Sequence, residues 1–269
     1  MSRTRRCLVM ALCWLGAACA HQKTNTVAPD ESTAGFDRTQ AARVADELDQ
    51  ALTRNVVFCR TLSENSHVRG FFATREQPHR VLRVLRDVVT RSGAEGASLL
   101  DSAGVVIAST NPDAVGYDFS QWQFFNTVSE GRVLVFPAIG FVNTLRALYV
   151  VVPQAGDEGG AVVLRSRVES LDETLAPIRQ PAALVFRDRY VLATNRPEFG
   201  FHGLRSVEQR VAVEAQDERQ LLATLDEVIP PIGDTIAAEG RTYQVHRVPM
   251  LMGEWQLLVC VERREDQER

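Results

Sequence analysis

The stretch SLLDSAGVVIASTNPD, residues 98–113, predicts a β-hairpin, because two apolar runs flank an Asp-Ser-Ala-Gly turn. Residues 183–198, ALVFRDRYVLATNRPE, repeat its order: an apolar run, an Asp in the turn, a second apolar run, and Pro followed by an acid. This recurrence predicts a divergent internal repeat, and therefore two similar modules in one chain.

Further strands and helices follow each hairpin. After the first hairpin, apolar runs predict strands at residues 132–140, 145–154 and 159–168, and a short helix at 169–178. After the second hairpin, the patterns predict a helical stretch at residues 206–228 and an antiparallel pair at 241–250 and 252–262.

The segment before the first hairpin has helical spacing. Its apolar residues recur at positions 41, 45, 48, 52, 56 and 59. They predict a helix of about 25–30 residues, long enough at 1.5 Å per residue to run along more than one domain. A second helix is predicted near residues 78–92, with Pro78 in its first turn. Long helices followed by two antiparallel-sheet units indicate an α+β fold.

Residues 1–18 have the composition of an export signal. Arginines precede an apolar run at residues 7–18. A run of about 12 residues is too short to span a bilayer, which needs about 20. These residues are therefore left out of the fold.

Two cleavage sites fit the end of this signal. LGAAC, residues 15–19, resembles a bacterial lipobox in which Cys19 would carry the lipid, whereas ACA, residues 18–20, fits ordinary signal peptidase. Residues 19–35 are polar and predict a flexible linker. We expect a lipoprotein of the periplasm or cell envelope of a Gram-negative bacterium, and the alternative is a soluble secreted protein.

Composition and motifs argue against several function classes. The formal net charge is −4 and the arginines are spread among acids, so nucleic-acid binding is not expected. The sequence has no G-x-S-x-G, H-E-x-x-H, P-loop or kinase signature, and no Cys/His cluster with metal-site spacing. We therefore expect no enzyme activity, no cofactor and no metal.

Two cysteines, Cys59 and Cys260, remain beyond residue 19. In an oxidising compartment they are a candidate disulfide. The alternative is two separate buried thiols.

The order of these segments resembles the double Cache extracellular sensor domains, in which two PAS-like modules follow one long N-terminal helix. It is most similar to the sensing region of the C4-dicarboxylate sensor kinases, from about residue 36 to residue 261. The segments that carry the resemblance are LLDSAGVVIASTN, VGYDFSQWQFFNTVSEG, PAIG, LRALYVVVP, GGAVVLRSRVESLD, LATNRPEF and GEWQLLV.

The resemblance implies an order of domains along the chain. We expect the long helix and second helix at residues 36–92, a membrane-distal module at 93–180, a membrane-proximal module at 181–262 and a charged tail at 263–269. Sensor kinases of this type continue into a transmembrane helix and a kinase, which this sequence lacks. A free-standing or lipid-anchored sensor module is therefore expected, without phosphotransfer.

The resemblance also implies that residues 116–128, GYDFSQWQFFNTV, form the wall of a ligand pocket in the first module. The sensor domains of this family that bind dicarboxylates usually have Phe-Arg-Pro-Tyr-Phe in this segment. In this chain Trp122 stands at the position of the arginine and Phe124 at that of the tyrosine. Because the carboxylate clamp and the phenolic donor are missing, a simple C4-dicarboxylate is not the expected ligand.

The ligand-binding residues predicted on this basis are Trp122, Phe124, Asp118, Ser120, Arg146, Tyr149 and Arg165. Some of them have alternative interpretations. Trp122 is either pocket wall or core, Asp118 is either a turn cap or an acceptor for an amine, and Arg165 either faces the ligand or faces solvent.

The leading functional hypothesis is a sensor module that binds a small molecule in its first module. A separate partner, such as a membrane sensor or transporter, would receive the signal. The sensor module would be attached to the membrane by its lipid anchor. The alternative is a ligand-free scaffold or protein-interaction lipoprotein.

Overall fold

The computed structural model describes residues 36–139, 146–156, 158–188, 190–196, 233–238 and 240–263. In these ranges the helices are α1 (Arg38–Glu64), α2 (Ser66–Thr74), α3 (Pro78–Ser92), α4 (Gln123–Ser129) and α5 (Glu169–Leu175). The strands are β1 (Ala94–Leu100), β2 (Val106–Ser109), β3 (Leu134–Ile139), β4 (Arg146–Pro153), β5 (Ala161–Ser166), β6 (Ala182–Phe186), β7 (Tyr190–Thr194), β8 (Thr235–Ala238), β9 (Arg241–Pro249) and β10 (Trp255–Glu262). The expected signal peptide, linker and Cys19, the helical pattern at 206–228 and residues 264–269 lie outside the described residues.

Helix α1 confirms the predicted long helix. It has 27 residues, and it begins where the carboxylate of Asp37 accepts a hydrogen bond from the Gln40 N–H at 3.0 Å. Its apolar stripe is buried and consists of Ala41, Val44, Ala45, Leu48, Leu52, Cys59 and Leu62. The helix packs on β4 and β5 and also on β9 and β10, so it runs along both sheets as expected.

Two further helices connect α1 to the first strand. Helix α3 confirms the second predicted helix and begins at Pro78. Helix α2 was not predicted. It starts directly after α1, where the side chain of Asn65 accepts hydrogen bonds from the N–H groups of His67 and Val68.

The strands form two five-stranded antiparallel sheets with the same topology. The first has the order β2-β1-β5-β4-β3, and the second has the order β7-β6-β10-β9-β8. Strand β8, which the sequence patterns did not predict, is the counterpart of β3. The α+β fold with two similar modules is therefore confirmed.

The internal repeat extends to details of the hairpins. The β1–β2 ladder shifts register between Leu99 and Leu100, and the β6–β7 ladder shifts at the corresponding Leu184 and Val185. In both modules a side-chain oxygen accepts a hydrogen bond from a backbone N–H of the first strand. Thr110 Oγ1 accepts from the Ala97 N–H at 3.0 Å, and Asn195 Oδ1 accepts from the Ala182 N–H at 2.8 Å.

The two modules and α1 share one continuous apolar core. This cluster contains Leu48 of α1, Leu148 of the first sheet and Leu257 of the second. Polar contacts reinforce it, because the buried carboxylate of Asp49 in α1 accepts from the Leu251 N–H at 2.7 Å. The modules are therefore packed on a common helix rather than merely linked in sequence.

The structure contradicts the candidate disulfide between Cys59 and Cys260, and both side chains are free buried thiols. Cys59 packs between α1 and the first sheet, where its thiol donates to the Val162 carbonyl at 3.3 Å. Cys260 lies in a separate cluster on the second sheet, because Leu257 and Val259 of β10 point to the shared core and Leu258 and Cys260 point to the other face. Burial raises the pKa of both thiols, that of Cys260 to about 12.

Candidate functional site

A cavity of about 120 Å³ lies in the first module, between the sheet and the segment that follows the first hairpin. Its lining residues include Gly96, Ser98, Ser109 and Asn111 on the β1–β2 side, and Phe119, Trp122, Phe124, Phe136, Tyr149 and Arg165 elsewhere. The predicted pocket segment thus forms one of its walls.

Local geometry holds this segment against the hairpin. The Gly116 N–H donates to the Val106 carbonyl at 2.8 Å, and the Phe119 N–H donates to the Gly104 carbonyl at 2.9 Å. Gly104 has φ +86°, and a Cβ placed on it would lie 2.8 Å from the backbone nitrogen of Ser120. Glycine is therefore required there, because it permits both the left-handed backbone and the close approach.

The wall is a continuous row of aromatic rings. Phe119 contacts Trp122 and Phe124 with centroid distances of 5.4 and 5.5 Å. Phe124 stacks on Phe136 at 5.6 Å, and Phe136 stacks on Tyr149 at 5.8 Å. Trp122 is half-buried, packs against the core and lines the cavity. Trp122 is therefore both part of the cavity wall and packed against the core.

An ion pair forms part of the cavity lining. Arg165 Nη1 lies 3.0 Å from Glu95 Oε2, and the exposed Arg167 approaches the other carboxylate oxygen at 3.4 Å. Glu95 and Arg165 are only 18% and 20% exposed, so water screens this pair less than it screens a surface pair. Burial raises the pKa of the neighbouring Tyr149, and the Arg165 guanidinium opposes that rise.

Four of the seven predicted ligand-binding residues line this cavity, namely Trp122, Phe124, Tyr149 and Arg165. Asp118 and Ser120 do not. The Asp118 carboxylate accepts from the Ser120 N–H at 2.7 Å, which is the geometry of a turn cap.

Arg146 also lies away from the cavity, and this corrects the prediction. Its guanidinium donates to the Leu192 carbonyl in the second module at 2.8 Å. Arg146 and Tyr149 are three positions apart on β4, so they point to opposite faces of the sheet. Arg146 also opposes the rise in pKa that burial causes at Asp172. It is therefore a contact between the modules.

Glu95 was missed by the sequence interpretation. It precedes Gly96, which pairs with Arg165 in the β1–β5 register. An acid at the start of the first strand was visible in the sequence, but its proximity to Arg165 depends on strand order.

Apolar side chains form most of the cavity lining. Aromatic faces dominate, and the polar groups include the ion pair and a hydrogen-bonded pair of hydroxyls, Ser98 and Ser109, at 2.9 Å. In the part of the chain that the structure describes, no group of three or more His, Cys, Asp or Glu residues could hold a metal ion. An apolar cavity of about 150 Å³ binds benzene, so this cavity suits a ligand of comparable size.

No protein-family model matches the chain, and no curated protein matches its sequence. Solved structures do match. The sensor domain of the Vibrio cholerae histidine kinase DctB superposes with a TM-score of 0.65 at 17% identity, covering 84% of this chain and 96% of that one. The chain has the double Cache fold.

Ligand-binding domains of chemoreceptors also superpose on this chain. The ligand-binding domain of Pseudomonas fluorescens CtaA in complex with L-isoleucine has a TM-score of 0.56 at 17% identity, covering 82% of this chain and 88% of that one. That of Pseudomonas aeruginosa PctC in complex with GABA has a TM-score of 0.54 at 15% identity, covering 82% and 96%. These domains are sensors and receptors by name. Among the described residues of this chain, no helix is long and apolar enough to cross a membrane.

Proposed function

We propose that this chain is an envelope sensor module that binds a small molecule in the cavity of its first module. The observation that carries the proposal is the row of aromatic rings from Trp122 to Tyr149, which ends at the Glu95–Arg165 ion pair. Such a surface suits a ligand with a flat or apolar body and few charges. The complexes of CtaA with L-isoleucine and of PctC with GABA support a small organic ligand.

The packing of the modules supports a route for the signal to a separate partner. Phe124 and Phe136 line the first cavity and also a cleft between the modules. A ligand that displaces either ring would therefore alter the contact between the modules. The separate partner would respond to the altered contact between the modules.

The test is a screen of amino acids and small aromatic metabolites by thermal shift, followed by calorimetry on each hit. In Trp122→Ala, we expect the affinity of a true cavity ligand to fall about tenfold or more, because the ring supplies much of the wall. Leu251→Ala is the control, since Leu251 is 90% exposed and remote from the cavity in sequence and sheet. A hit that keeps its full affinity in Trp122→Ala contradicts the cavity assignment.

The ligand-free scaffold is a second candidate, and the size of the cavity favours it. About 120 Å³ is below the range of roughly 300–1,000 Å³ that is usual for small-molecule sites. Two results together would favour the scaffold. No compound in the screen would stabilise the protein, and the protein would still bind a protein partner in the absence of a ligand.

The envelope location follows from the export signal and Cys19, whose lipidation we also propose. Mass spectrometry of the protein from its own envelope tests it. We expect the mass of a lipid-modified chain that begins at Cys19, and an unmodified chain that begins after Ala20 would contradict the anchor.

A further inference from the structure

A second and larger cavity lies between the modules. Its volume is about 400 Å³, which falls within the range of roughly 300–1,000 Å³ that is usual for small-molecule sites. It is bounded on one side by α4 and β3 of the first module and on the other by the β6–β7 turn and the residue before β10. Its lining residues include Phe124, Arg132, Phe136, Phe186, Arg187 and Glu254.

The charged groups of this cleft come from both modules. Arg132 precedes β3 in the first module, and Arg187 and Glu254 belong to the second. These three residues carry one net positive charge. Arg132 pairs with Glu130 at 2.8 Å, but both side chains are 65% exposed, so that ion pair is weak and exchangeable.

The guanidinium of Arg187 is held in place by several contacts. Its Nε donates to Glu254 Oε1 at 2.8 Å, its backbone N–H donates to the Glu254 carbonyl at 2.8 Å, and its guanidinium lies 4.9 Å from the centroid of the Phe186 ring. Arg187 and Glu254 are 41% and 50% exposed, so the side-chain contacts favour one position of the guanidinium without locking it, and this lowers the entropic cost of binding.

The backbone at this position is also unusual. Arg187 and Asp188 have φ values of +50° and +55°, in the left-handed region that non-glycine residues rarely adopt. Both lie in the hairpin loop between Phe186 and Tyr190, where a positive φ is ordinarily adopted by Gly, Asn or Asp rather than by Arg. Strain of this kind persists at binding sites where the surrounding contacts enforce it.

We propose that the cleft is a second ligand site, for an organic monoanion with a flat apolar body too large for the first cavity. Its carboxylate accepts hydrogen bonds from Arg132 and Arg187. Its body lies against the rings of Phe124, Phe136 and Phe186. Because the two arginines belong to different modules, an occupant of this site ties the modules together.

The probe is 2-naphthoate, measured by calorimetry and ligand-observed NMR on the full exported chain. We expect a dissociation constant below about 1 mM. Arg132→Gln and Arg187→Gln should each weaken binding about tenfold or more, because each removes a charge-assisted hydrogen bond. The uncharged analogue 2-naphthamide should bind weakly to the wild type, for the same reason.

Two variants separate this site from the sensing cavity. Arg43→Gln removes an exposed arginine of α1 outside the cleft and should leave 2-naphthoate binding unchanged. Trp122→Ala should also leave it unchanged. Should Arg187→Gln fail to fold, the exposed Arg132 still provides the test. Absence of binding at millimolar concentration, equal affinity for the amide, or loss in Trp122→Ala but not in Arg132→Gln would overturn the proposal.

Discussion

The indole N–H of Trp255 in the second module donates a hydrogen bond to the carbonyl oxygen of Val135 in the first, at 3.2 Å. Trp255 is 1% exposed, and its ring packs on Phe186 with a centroid distance of 5.0 Å. Val135 directly precedes Phe136, whose ring lines both the sensing cavity and the cleft. A contact between the modules therefore lies one residue from the wall of the proposed ligand site.

Trp255→Phe should weaken this contact while keeping most of the buried aromatic surface. The Val135 carbonyl loses its donor, so we expect the free energy of unfolding to fall by about 1 kcal/mol or more. Chemical denaturation measures the change. Trp122→Phe is the control, because the structure shows no hydrogen bond from the Trp122 side chain to the described residues. A larger loss in Trp122→Phe than in Trp255→Phe would show that the hydrogen bond from Trp255 does not stabilise the contact between the modules.

Asp49→Asn should loosen the turn between β9 and β10 from α1. The Asp49 carboxylate is 4% exposed and accepts from the N–H groups of Leu251 and Met252 at 2.7 and 3.3 Å. An amide nitrogen in place of one oxygen would face a backbone N–H, at a cost of about 1–3 kcal/mol. Asp46→Asn, at an exposed position of the same helix, should cost almost nothing in the same denaturation experiment. Equal losses would show that the buried carboxylate does not anchor the turn.

Because its two cysteines are buried, the folded protein should become less stable at alkaline pH. Burial raises the pKa of Cys59 and of Cys260 in the folded protein, whereas an unfolded thiol titrates at about 8.5. Above that pH the unfolded chain releases protons that the folded chain keeps. The stability is therefore full below pH 8.5 and should fall as the pH rises towards the folded values, by about 1.4 kcal/mol per pH unit for each thiol.

Denaturation at pH 8 and at pH 10, on the wild type and on a Cys59→Ala/Cys260→Ala variant, measures this slope. The variant starts less stable but should lose less stability between the two pH values. A thiol assay on unreduced, unfolded protein should count both thiols as free. Parallel slopes, or no free thiol, would contradict the two buried thiols.

Most of the fold could be predicted because its signals are local. Each hairpin is visible as two apolar runs around a turn. The apolar stripe of α1 is visible as residues at helical spacing. Helix α2 was missed because it begins at Asn65, directly after α1, and its pattern merges with that of the longer helix. Strand β8 was missed because TIAA is a short, largely exposed edge strand without clear alternation.

The site was harder to predict because it depends on sheet geometry. The resemblance to double Cache domains indicated Trp122, Phe124, Tyr149 and Arg165, which the structure brings together. It also indicated Arg146, although an odd spacing from Tyr149 on one strand places the two on opposite faces. The proximity of Glu95 to Arg165 appears only when β1 and β5 pair.

Gly104→Ala should displace the aromatic wall, and Gly131→Ala provides a matched control. Both glycines have left-handed backbone, with φ +86° and +85°, so alanine strains both by about 1–2 kcal/mol. Only at Gly104 would the new Cβ meet another group, the backbone of Ser120 at 2.8 Å, whereas nothing lies within 4 Å at Gly131. The extra cost in Gly104→Ala therefore reports the contact between the hairpin and the wall.

We expect Gly104→Ala to be the less stable of the two variants in denaturation. It should also lose affinity for any ligand of the first cavity, whereas Gly131→Ala should retain that affinity. Equal stability and equal affinity would show that the hairpin does not position the wall.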